Sequence, residues 1–200
     1  MPWITRLTAR LLALVTLCIA TSCSTLQPLA RTERYFYDRI LIHGRFSAKF
    51  EQNGRLQSVQ GRFEWRQNDH DIDIDLLSPL GQTVARISIV PGLAKIQQSG
   101  KETKVAGNIT ELTEQTLGWA LPVSGMRDWL QGFSRSRTSD LQTASPTGTA
   151  IFDTDGWRIE YVSWQENNLS AYPKRIDLLR TSLNATPLSL RIVIDHWEPR

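Results

Sequence analysis

Cysteine and histidine are scarce in this chain of 200 residues, which contains two cysteines and three histidines. The histidines lie far apart, and neither an HExxH pair nor a Cys/His cluster occurs, so the patterns of zinc sites are absent. His70 adjoins Asp71, Asp73 and Asp75, but alternate residues of a strand point to one face, which predicts a solvated row of carboxylates. A phosphate-binding loop, a dinucleotide fingerprint and the G-x-S-x-G elbow are also missing. We therefore expect no catalytic residue, no metal and no cofactor, and hence no enzyme.

A charge excess of either sign is lacking as well. The chain has 23 basic and 20 acidic residues, which gives a formal net charge of +3. Two of the basic residues, Arg6 and Arg10, lie within the first 22 residues, and without them the balance is 21 to 20. A nearly neutral chain has no basic field that would attract nucleic acid.

Long hydrophobic runs are missing too. The run Leu11–Ala20 has no charge, but it is about half as long as the ~20 apolar residues of a membrane-spanning helix. Arg6 and Arg10 precede the run and small residues follow it, which is typical of a signal peptide. We therefore predict a lipoprotein signal peptide over residues 1–22.

Cleavage after residue 22 would remove Cys18 and leave Cys23 unpaired in an exported protein. The segment Ala20-Thr21-Ser22-Cys23 resembles the lipobox of bacterial lipoproteins, which implies a lipidated Cys23; an ordinary secreted protein is the alternative. Ser24 follows where aspartate would favour retention in the inner membrane, so the resemblance points to the outer membrane. Residues 23–31 are then the lipidated cysteine and a tether, and residues 32–200 are a single lipid-binding domain.

From Gly44 onward, apolar and polar residues alternate between turn signals, as in antiparallel strands with one buried face. Asn53-Gly54 is a strong hairpin signal, and this loop pairs Ile42 with Trp65 and Phe46 with Gly61. A slip of one residue would turn every apolar side chain to the wrong face. The Gly-Arg-Phe repeat at positions 44 and 61 is thus explained as two arms of one hairpin.

Two further two-residue turns are predicted at Asn68-Asp69 and Pro91-Gly92. The resulting pairs are Trp65 with Ile72, Phe63 with Ile74, and Ile87 with Ile96. Between the strands joined by Pro79–Gln82, the alternation requires an even-length loop, with Leu76 opposite Ala85. Leu80 consequently lies at the loop tip, flanked by Pro79 and Gly81 and outside the strand pairing.

A less regular stretch follows. Asn108 or Thr110 is predicted to cap a helix that ends near Gly118, and Ser124 to cap a second short helix. A third helix is considered over Thr32–Ile40. Beyond a Ser/Thr-rich loop, Arg135–Pro146, strands resume at Ala150–Asp153, Trp157–Tyr161, Arg175–Leu179 and Leu188–Ile194. The total is roughly ten strands and two or three helices.

The apolar residues of these strands gather on one face of the predicted sheet. A sheet of about ten strands that curls on itself encloses more space than side chains easily fill, and such barrels often hold an apolar ligand. Trp119 and Trp129, on the short helices, are placed to cover its mouth. We expect the cavity to be lined by Phe46, Phe63, Trp65, Ile74, Leu76, Ile87, Trp129, Trp157, Tyr161 and Ile192, a plainly packed core being the alternative.

A series of short motifs resembles the LolB family of outer-membrane lipoprotein receptors. The motifs follow in the family's order behind the lipobox and cover most of the chain from Cys23 onward. They are Gly44-Arg45-Phe46, Phe63-Glu64-Trp65, Ser78-Pro79-Leu80-Gly81, Trp129-Leu130-Gln131-Gly132, Gly156-Trp157 with Tyr161, and Ile194-Asp195-His196-Trp197.

The resemblance implies a mainly β (α+β) fold, an open, unclosed antiparallel β-barrel of about 10–11 strands with a lid of short helices. The soluble periplasmic carrier LolA shares this fold. The implied function is to accept triacylated lipoproteins from that carrier into the acyl-chain cavity and insert them into the outer membrane. We expect a monomer anchored in the inner leaflet and facing the periplasm. Leu80, in the loop Pro79–Gly81, matches an exposed leucine that the family needs for the membrane step.

Two other functions also fit the residues. One is an outer-membrane lipoprotein that binds another amphiphile, such as lipopolysaccharide or a free lipid; the other is a scaffold lipoprotein with a filled barrel. A basic rim is a candidate contact with an acidic carrier, with an ordinary solvated surface as the alternative. The rim residues are Arg127, Arg135, Arg137, Lys174 and Arg175.

Overall fold

The alternating pattern forms antiparallel strands in the computed structural model, which describes residues 34–135, 141–146, 150–166, 171–181 and 186–200. The predicted signal peptide, Cys23 and the tether lie outside these ranges. The strands are β1 (Arg39–Gln52), β2 (Arg55–Asn68), β3 (Asp71–Leu77), β4 (Thr83–Val90), β5 (Leu93–Gln98), β6 (Lys104–Ala106), β7 (Phe133–Arg135), β8 (Leu141–Thr143), β9 (Ala150–Thr154), β10 (Trp157–Trp164), β11 (Pro173–Arg180) and β12 (Leu188–Pro199). The helices are α1 (Ile109–Leu117) and α2 (Val123–Trp129).

Ten of the strands form one antiparallel sheet in the order β6-β5-β4-β3-β2-β1-β12-β11-β10-β9, and β7 pairs separately with β8. The C-terminal β12 returns to lie beside β1, while β6 and β9 are the two edges. The sheet is therefore unclosed, which confirms the predicted fold class. Its inner face packs against α1, α2 and the segment between them, and the core lies between these layers.

The register of the first hairpin is as predicted. Ile42 lies opposite Trp65 and Phe46 opposite Gly61. The pairs Ile87 with Ile96 and Leu76 with Ala85 are also confirmed. The period-two pattern therefore assigned the faces of β1–β5 correctly.

The register of β2 with β3 differs from the prediction by two residues. Trp65 lies opposite Ile74, not Ile72, because the turn residues are Asp69 and His70 rather than Asn68 and Asp69. Asp69 has a φ of 51°, which aspartate tolerates better than most residues, and its N–H donates to the carbonyl of Asp38 at 3.0 Å. A two-residue shift preserves side-chain parity, so the assignment of faces survives the error.

The Gly-Arg-Phe repeat has a packing explanation. Gly44 lies opposite Phe63 and Gly61 opposite Phe46. A Cβ on Gly44 would lie 2.6 Å from the Phe63 ring and 2.4 Å from the carbonyl oxygen of Val193, and a Cβ on Gly61 would lie 2.9 Å from the Phe46 ring. Each phenylalanine thus covers the glycine of the facing strand.

The first helix follows the prediction, and the structure decides between its two candidate caps. The Asn108 side chain accepts hydrogen bonds from the N–H groups of Thr110 (3.0 Å) and Glu111 (3.3 Å). Gly118, with a φ of 85°, ends α1, since glycine adopts this left-handed conformation without a steric cost.

Two predictions about helices are wrong. Ser124 does not cap α2, which follows Pro122 without a side-chain cap and includes Ser124 in its first turn. The described part of Thr32–Ile40 contains no helix. Ile40 lies instead in β1, paired with both β2 and β12, because strand pairing on both sides outweighs a weak local helical pattern.

Candidate functional site

A small cavity lies between the inner face of the sheet and the segment that contains α1 and α2. Its volume is about 20 Å³, which is room for roughly one water molecule. Its walls come from four strands, β1, β2, β3 and β12, and from the helical segment. They are Phe46, Phe63, Trp65, Ile74, Leu76, Trp119, Leu121, Met126, Leu190 and Ile192.

Six of the ten residues predicted to line a cavity do so. They are Phe46, Phe63, Trp65, Ile74, Leu76 and Ile192. Trp119, predicted to belong to the cover, closes the cavity from the helical side, with its ring centroid 5.9 Å from that of Phe46. Strand parity therefore located the wall of the cavity that the sheet contributes.

The other four residues, Ile87, Trp129, Trp157 and Tyr161, are buried in the core away from the cavity wall. The Tyr161 hydroxyl is directed at the carbonyls of Trp129 (3.1 Å) and Phe133 (3.2 Å), and burial raises the pKa of Tyr161. The Trp129 ring packs over Gly125 and lies 6.4 Å from the Trp157 ring. These contacts join the end of α2 to β10, and Trp129 and Trp157 line a separate cavity of about 340 Å³ together with Pro122, Gly156 and Arg180.

One hydrogen bond fastens the connection between α1 and α2 to α1. The Leu121 N–H, on the connection between α1 and α2, donates to Thr113 Oγ1 at 2.9 Å, and that hydroxyl donates to the carbonyl of Thr110. Sequence reasoning missed both Leu121 and Thr113. The available signal was Thr113 itself, a polar residue on the same helix stripe as the apolar residues Ile109, Leu112 and Leu117.

The Trp-Leu-Gln-Gly motif, which begins at the last residue of α2, ties the N-terminal described segment to the core. The Gln131 side chain accepts from the Tyr37 N–H at 2.8 Å and donates to the Tyr37 carbonyl at 3.0 Å. Gly132 then adopts a φ of 81°, and its carbonyl accepts a hydrogen bond from Arg34 at 3.0 Å.

Arg34 is a second buried group that sequence reasoning missed. Its guanidinium donates to the carbonyls of Ala171 (2.7 Å), Gly132 and Ala144 (both 3.0 Å) and lies 4.3 Å from the ring centroid of Trp164. Burial lowers the pKa of Arg34 to about 10. No local pattern marks such a residue, because its partners are about 100 or more residues away in sequence.

Leu80 stands at the tip of a short loop and is 91% exposed. The Ser78 N–H donates to the Gln82 carbonyl (2.8 Å), and the Gly81 N–H donates to the Ser78 carbonyl (2.9 Å). Gly81 has a φ of 87°. The strands end at Leu77 and resume at Thr83 with a register shift, so the loop has five residues, 78–82, where we predicted four. Leu80 still projects into solvent as the sequence predicted.

The basic rim is largely neutralised by ion pairs. Asp128 is buried beside Arg135, and burial raises its pKa although Arg135 opposes the rise. The pairs are Arg127 with Asp38 (3.1 Å), Arg135 with Asp128 (2.8 Å), and Arg175 with Asp177 (2.7 Å). Lys174 is exposed, and Arg137 lies outside the described residues.

The aspartates of β3 form part of a polar network on the outer face. Asp75 accepts from Arg86 (2.7 Å) and Arg66 (3.1 Å); burial alone would raise its pKa, but these hydrogen bonds hold the pKa below the ordinary value. Asp73 accepts from Ser88 at 2.6 Å.

Within the described ranges, no group of three or more His, Cys, Asp or Glu is arranged to hold a metal ion. In those same ranges, no helix has the length and apolar composition needed to cross a membrane.

Comparisons with known proteins agree on one family. A family model described as outer membrane lipoprotein LolB matches residues 39–197. The outer-membrane lipoprotein LolB of Cupriavidus metallidurans is 39% identical over 161 residues, covering 78% of this chain and 78% of that protein. The LolB of Cupriavidus necator is 40% identical over 157 residues, covering 78% of this chain and 79% of that protein.

More distant similarities extend the comparison. The LolB of Pseudomonas fluorescens (strain Pf0-1) is 34% identical over 144 residues, covering 72% of this chain and 68% of that protein. A crystal structure of a LolA superfamily protein from Nitrosomonas europaea covers 86% of this chain and 90% of its own, with a TM-score of 0.47 and 9% identity. A likeness this weak supports no argument about fold or function.

Proposed function

The chain belongs to the family of outer membrane lipoproteins LolB, and from this membership we propose that it is the receptor that completes lipoprotein localisation. It accepts triacylated lipoproteins from a soluble, LolA-like periplasmic carrier and inserts them into the outer membrane. The observation on which the proposal rests is the family match over residues 39–197. The cavity and the exposed loop supply a mechanism.

The apolar cavity is the proposed acyl-chain site. Each acyl methylene removed from water contributes about 0.8 kcal/mol, so walls made of aromatic and aliphatic side chains suit lipoprotein acyl chains. A volume of about 20 Å³ is far below the roughly 300–1,000 Å³ of ligand pockets. The present conformation is therefore closed, and binding requires the segment with Trp119, Leu121 and Met126 to move away from the sheet.

Transfer from carrier to receptor must run downhill in affinity, because the periplasm has no ATP. A tenfold gain in affinity at the receptor corresponds to about 1.4 kcal/mol. A few additional apolar contacts in the cavity wall are enough to supply it.

The anchor and the orientation form part of the same proposal. A lipidated Cys23 would hold the domain, as a monomer, on the inner leaflet of the outer membrane and facing the periplasm. The proposed anchor has three acyl chains, and two membrane-binding signals already suffice for stable attachment. The tether of residues 24–31 would then leave the 78–82 loop free to reach the same membrane.

Leu80 is the proposed membrane-insertion residue. It is the most exposed of the large hydrophobic residues in the described ranges, and the loop around it is held by backbone hydrogen bonds that do not involve its side chain. We expect Leu80→Glu to fold normally and to abolish incorporation of lipoproteins into membranes, because a carboxylate opposes entry into the acyl layer. The measurement is transfer of a labelled triacylated lipoprotein from carrier to vesicles that contain the anchored protein.

Leu93→Glu is the matched control, since Leu93 is 50% exposed and lies at the opposite end of the sheet, beside the Pro91-Gly92 turn. It should retain transfer. Normal incorporation by Leu80→Glu would contradict the assignment of Leu80.

A scaffold lipoprotein is the second candidate function, favoured by the nearly filled cavity. A fluorescent fatty-acyl probe separates the two, because a receptor binds the probe and displaces the helical segment, whereas a filled scaffold does not bind it.

A further inference from the structure

A groove of about 330 Å³ opens on the outer face of the sheet beside the 78–82 loop. Three arginines border it, namely Arg45 of β1, Arg62 of β2 and Arg191 of β12. Ser47 and Gln60 add neutral hydrogen-bonding groups, and Pro79 forms the end next to the loop. None of the described residues that line this arginine groove is acidic.

Arg45 and Arg62 lie directly opposite each other on neighbouring strands. Like charges in this position destabilise a strand pair, so the arrangement is costly unless an anion shares it. Asp195 neutralises Arg45 through two hydrogen bonds, at 3.0 and 2.8 Å. Arg62 is exposed and makes no ion pair or hydrogen bond through its side chain within the described ranges.

Arg191 belongs to a network of charges at the edge of the groove. It shares the carboxylate of Asp177 with Arg175, at 3.0 Å and 2.7 Å respectively, so two guanidinium groups face one carboxylate. The unpaired Arg62 therefore leaves one positive charge at the groove without a counter-charge in the described ranges. Guanidinium groups form strong, often bidentate hydrogen bonds with phosphate.

The position of the groove relative to Leu80 indicates which phosphate it meets. Pro79 lines the groove, and the Cα of Leu80 follows at about 3.8 Å. The polar headgroup layer on each side of a bilayer is roughly 5–8 Å thick. A loop that places Leu80 at the edge of the hydrocarbon therefore brings the Pro79 end of the groove to the depth of the headgroup layer.

We propose that the arginine groove binds the phosphate of anionic phospholipid headgroups and so sets the depth and orientation at which the 78–82 loop enters the membrane. The inference rests on the proposed function, since it presumes that Leu80 meets a membrane. It goes beyond that function by assigning a headgroup site on the outer face of the sheet, separate from the acyl-chain cavity inside.

The test uses the mature, anchored protein with a polarity-sensitive dye on a cysteine that replaces the exposed Gln82. Vesicles of phosphatidylethanolamine and phosphatidylcholine are compared with the same vesicles containing phosphatidylglycerol. We expect the anionic lipid to raise the equilibrium for loop insertion about fivefold, since each basic residue near an anionic surface contributes about that factor. Added salt should reduce the gain.

Arg62→Gln should abolish this gain and leave insertion into the uncharged vesicles unchanged. Lys95→Gln is the matched control, because Lys95 is an exposed basic residue of the same sheet three strands away from β2. It should behave as the unsubstituted protein does.

Equal insertion into both kinds of vesicle, or the same response of Arg62→Gln and Lys95→Gln, would overturn the proposal. It would also be overturned if Arg62→Gln slowed delivery from the carrier without changing the dye response, because the groove would then contact an acidic protein. A protein that shows the lipid-dependent insertion and yet incorporates no lipoprotein would support the groove and contradict the proposed function instead.

Discussion

Gly44 and Gly61 let the two central strands of the sheet pack a phenylalanine ring against the backbone of the facing strand. Their backbones lie against Val193 and Leu77, where a Cβ would meet a carbonyl oxygen at 2.4 and 2.3 Å. Backbone atoms cannot move aside as a flexible side chain can, so a side chain at either position would force the strands apart.

Gly44→Ala should therefore lower the free energy of unfolding by about 2 kcal/mol, the usual cost of overpacking. Urea unfolding followed by tryptophan fluorescence measures it. Gly107→Ala is the control, since a Cβ there would meet its nearest neighbour only at 3.7 Å; this change should have little effect. Equal stability of the two variants would contradict the packing argument.

The connection between α1 and α2 is the element that we propose moves to open the cavity. Its connection contributes Trp119 and Leu121 to the cavity wall, and the hydrogen bond from the Leu121 N–H to Thr113 holds this connection in place. Without that acceptor, the buried N–H loses its partner in the closed state but finds water in an open state.

Thr113→Val should therefore shift the protein towards the open state and strengthen apparent binding of a fatty-acyl probe about tenfold. An unsatisfied buried donor costs about 1–3 kcal/mol, and apparent affinity rises with the fraction of the competent state. Probe titration and the rate of probe uptake measure the effect.

Thr116→Val provides a control on the same helix, because the Thr116 hydroxyl is buried and has no hydrogen-bond partner among the residues that the structure describes. Its removal should leave probe binding unchanged. If both variants bind the probe alike, the Thr113 bond does not hold the lid.

Arg34 connects segments that lie far apart in the chain. Its three carbonyl partners lie 98, 110 and 137 residues further along the chain, so one side chain joins the start of the described domain to the loops after α2, β8 and β10. Its location near Trp164 adds a cation–π contact.

Arg34→Met should destabilise the domain by about 3 kcal/mol or more, because buried carbonyls lose charge-assisted hydrogen bonds. Arg34→Lys should recover only part of the loss, since one ammonium cannot replace the planar guanidinium at three carbonyls. Thermal and urea unfolding measure both. Arg39→Met, which removes an exposed arginine paired with Asp69, should change stability little; an equal loss there would contradict the special role of Arg34.

Side-chain parity explains how much of the architecture the sequence predicted. The strand faces depend only on alternation between neighbouring residues, so they were correct even where the β2–β3 turn was misplaced by one position. Helix caps were less predictable, because Ser124 has the chemistry of a cap but Pro122 and Val123 already begin the turn.

By itself, the sequence determined which strand residues face inward and that Leu80 stands at a loop tip, because both follow from local alternation and turn chemistry. Only the tertiary structure decided that the cavity is closed, that Trp129 and Trp157 lie outside its wall, and that Arg45, Arg62 and Arg191 meet at one groove. These features depend on how segments far apart in the chain pack together. Volume and charge at such meeting points are properties of the assembled fold.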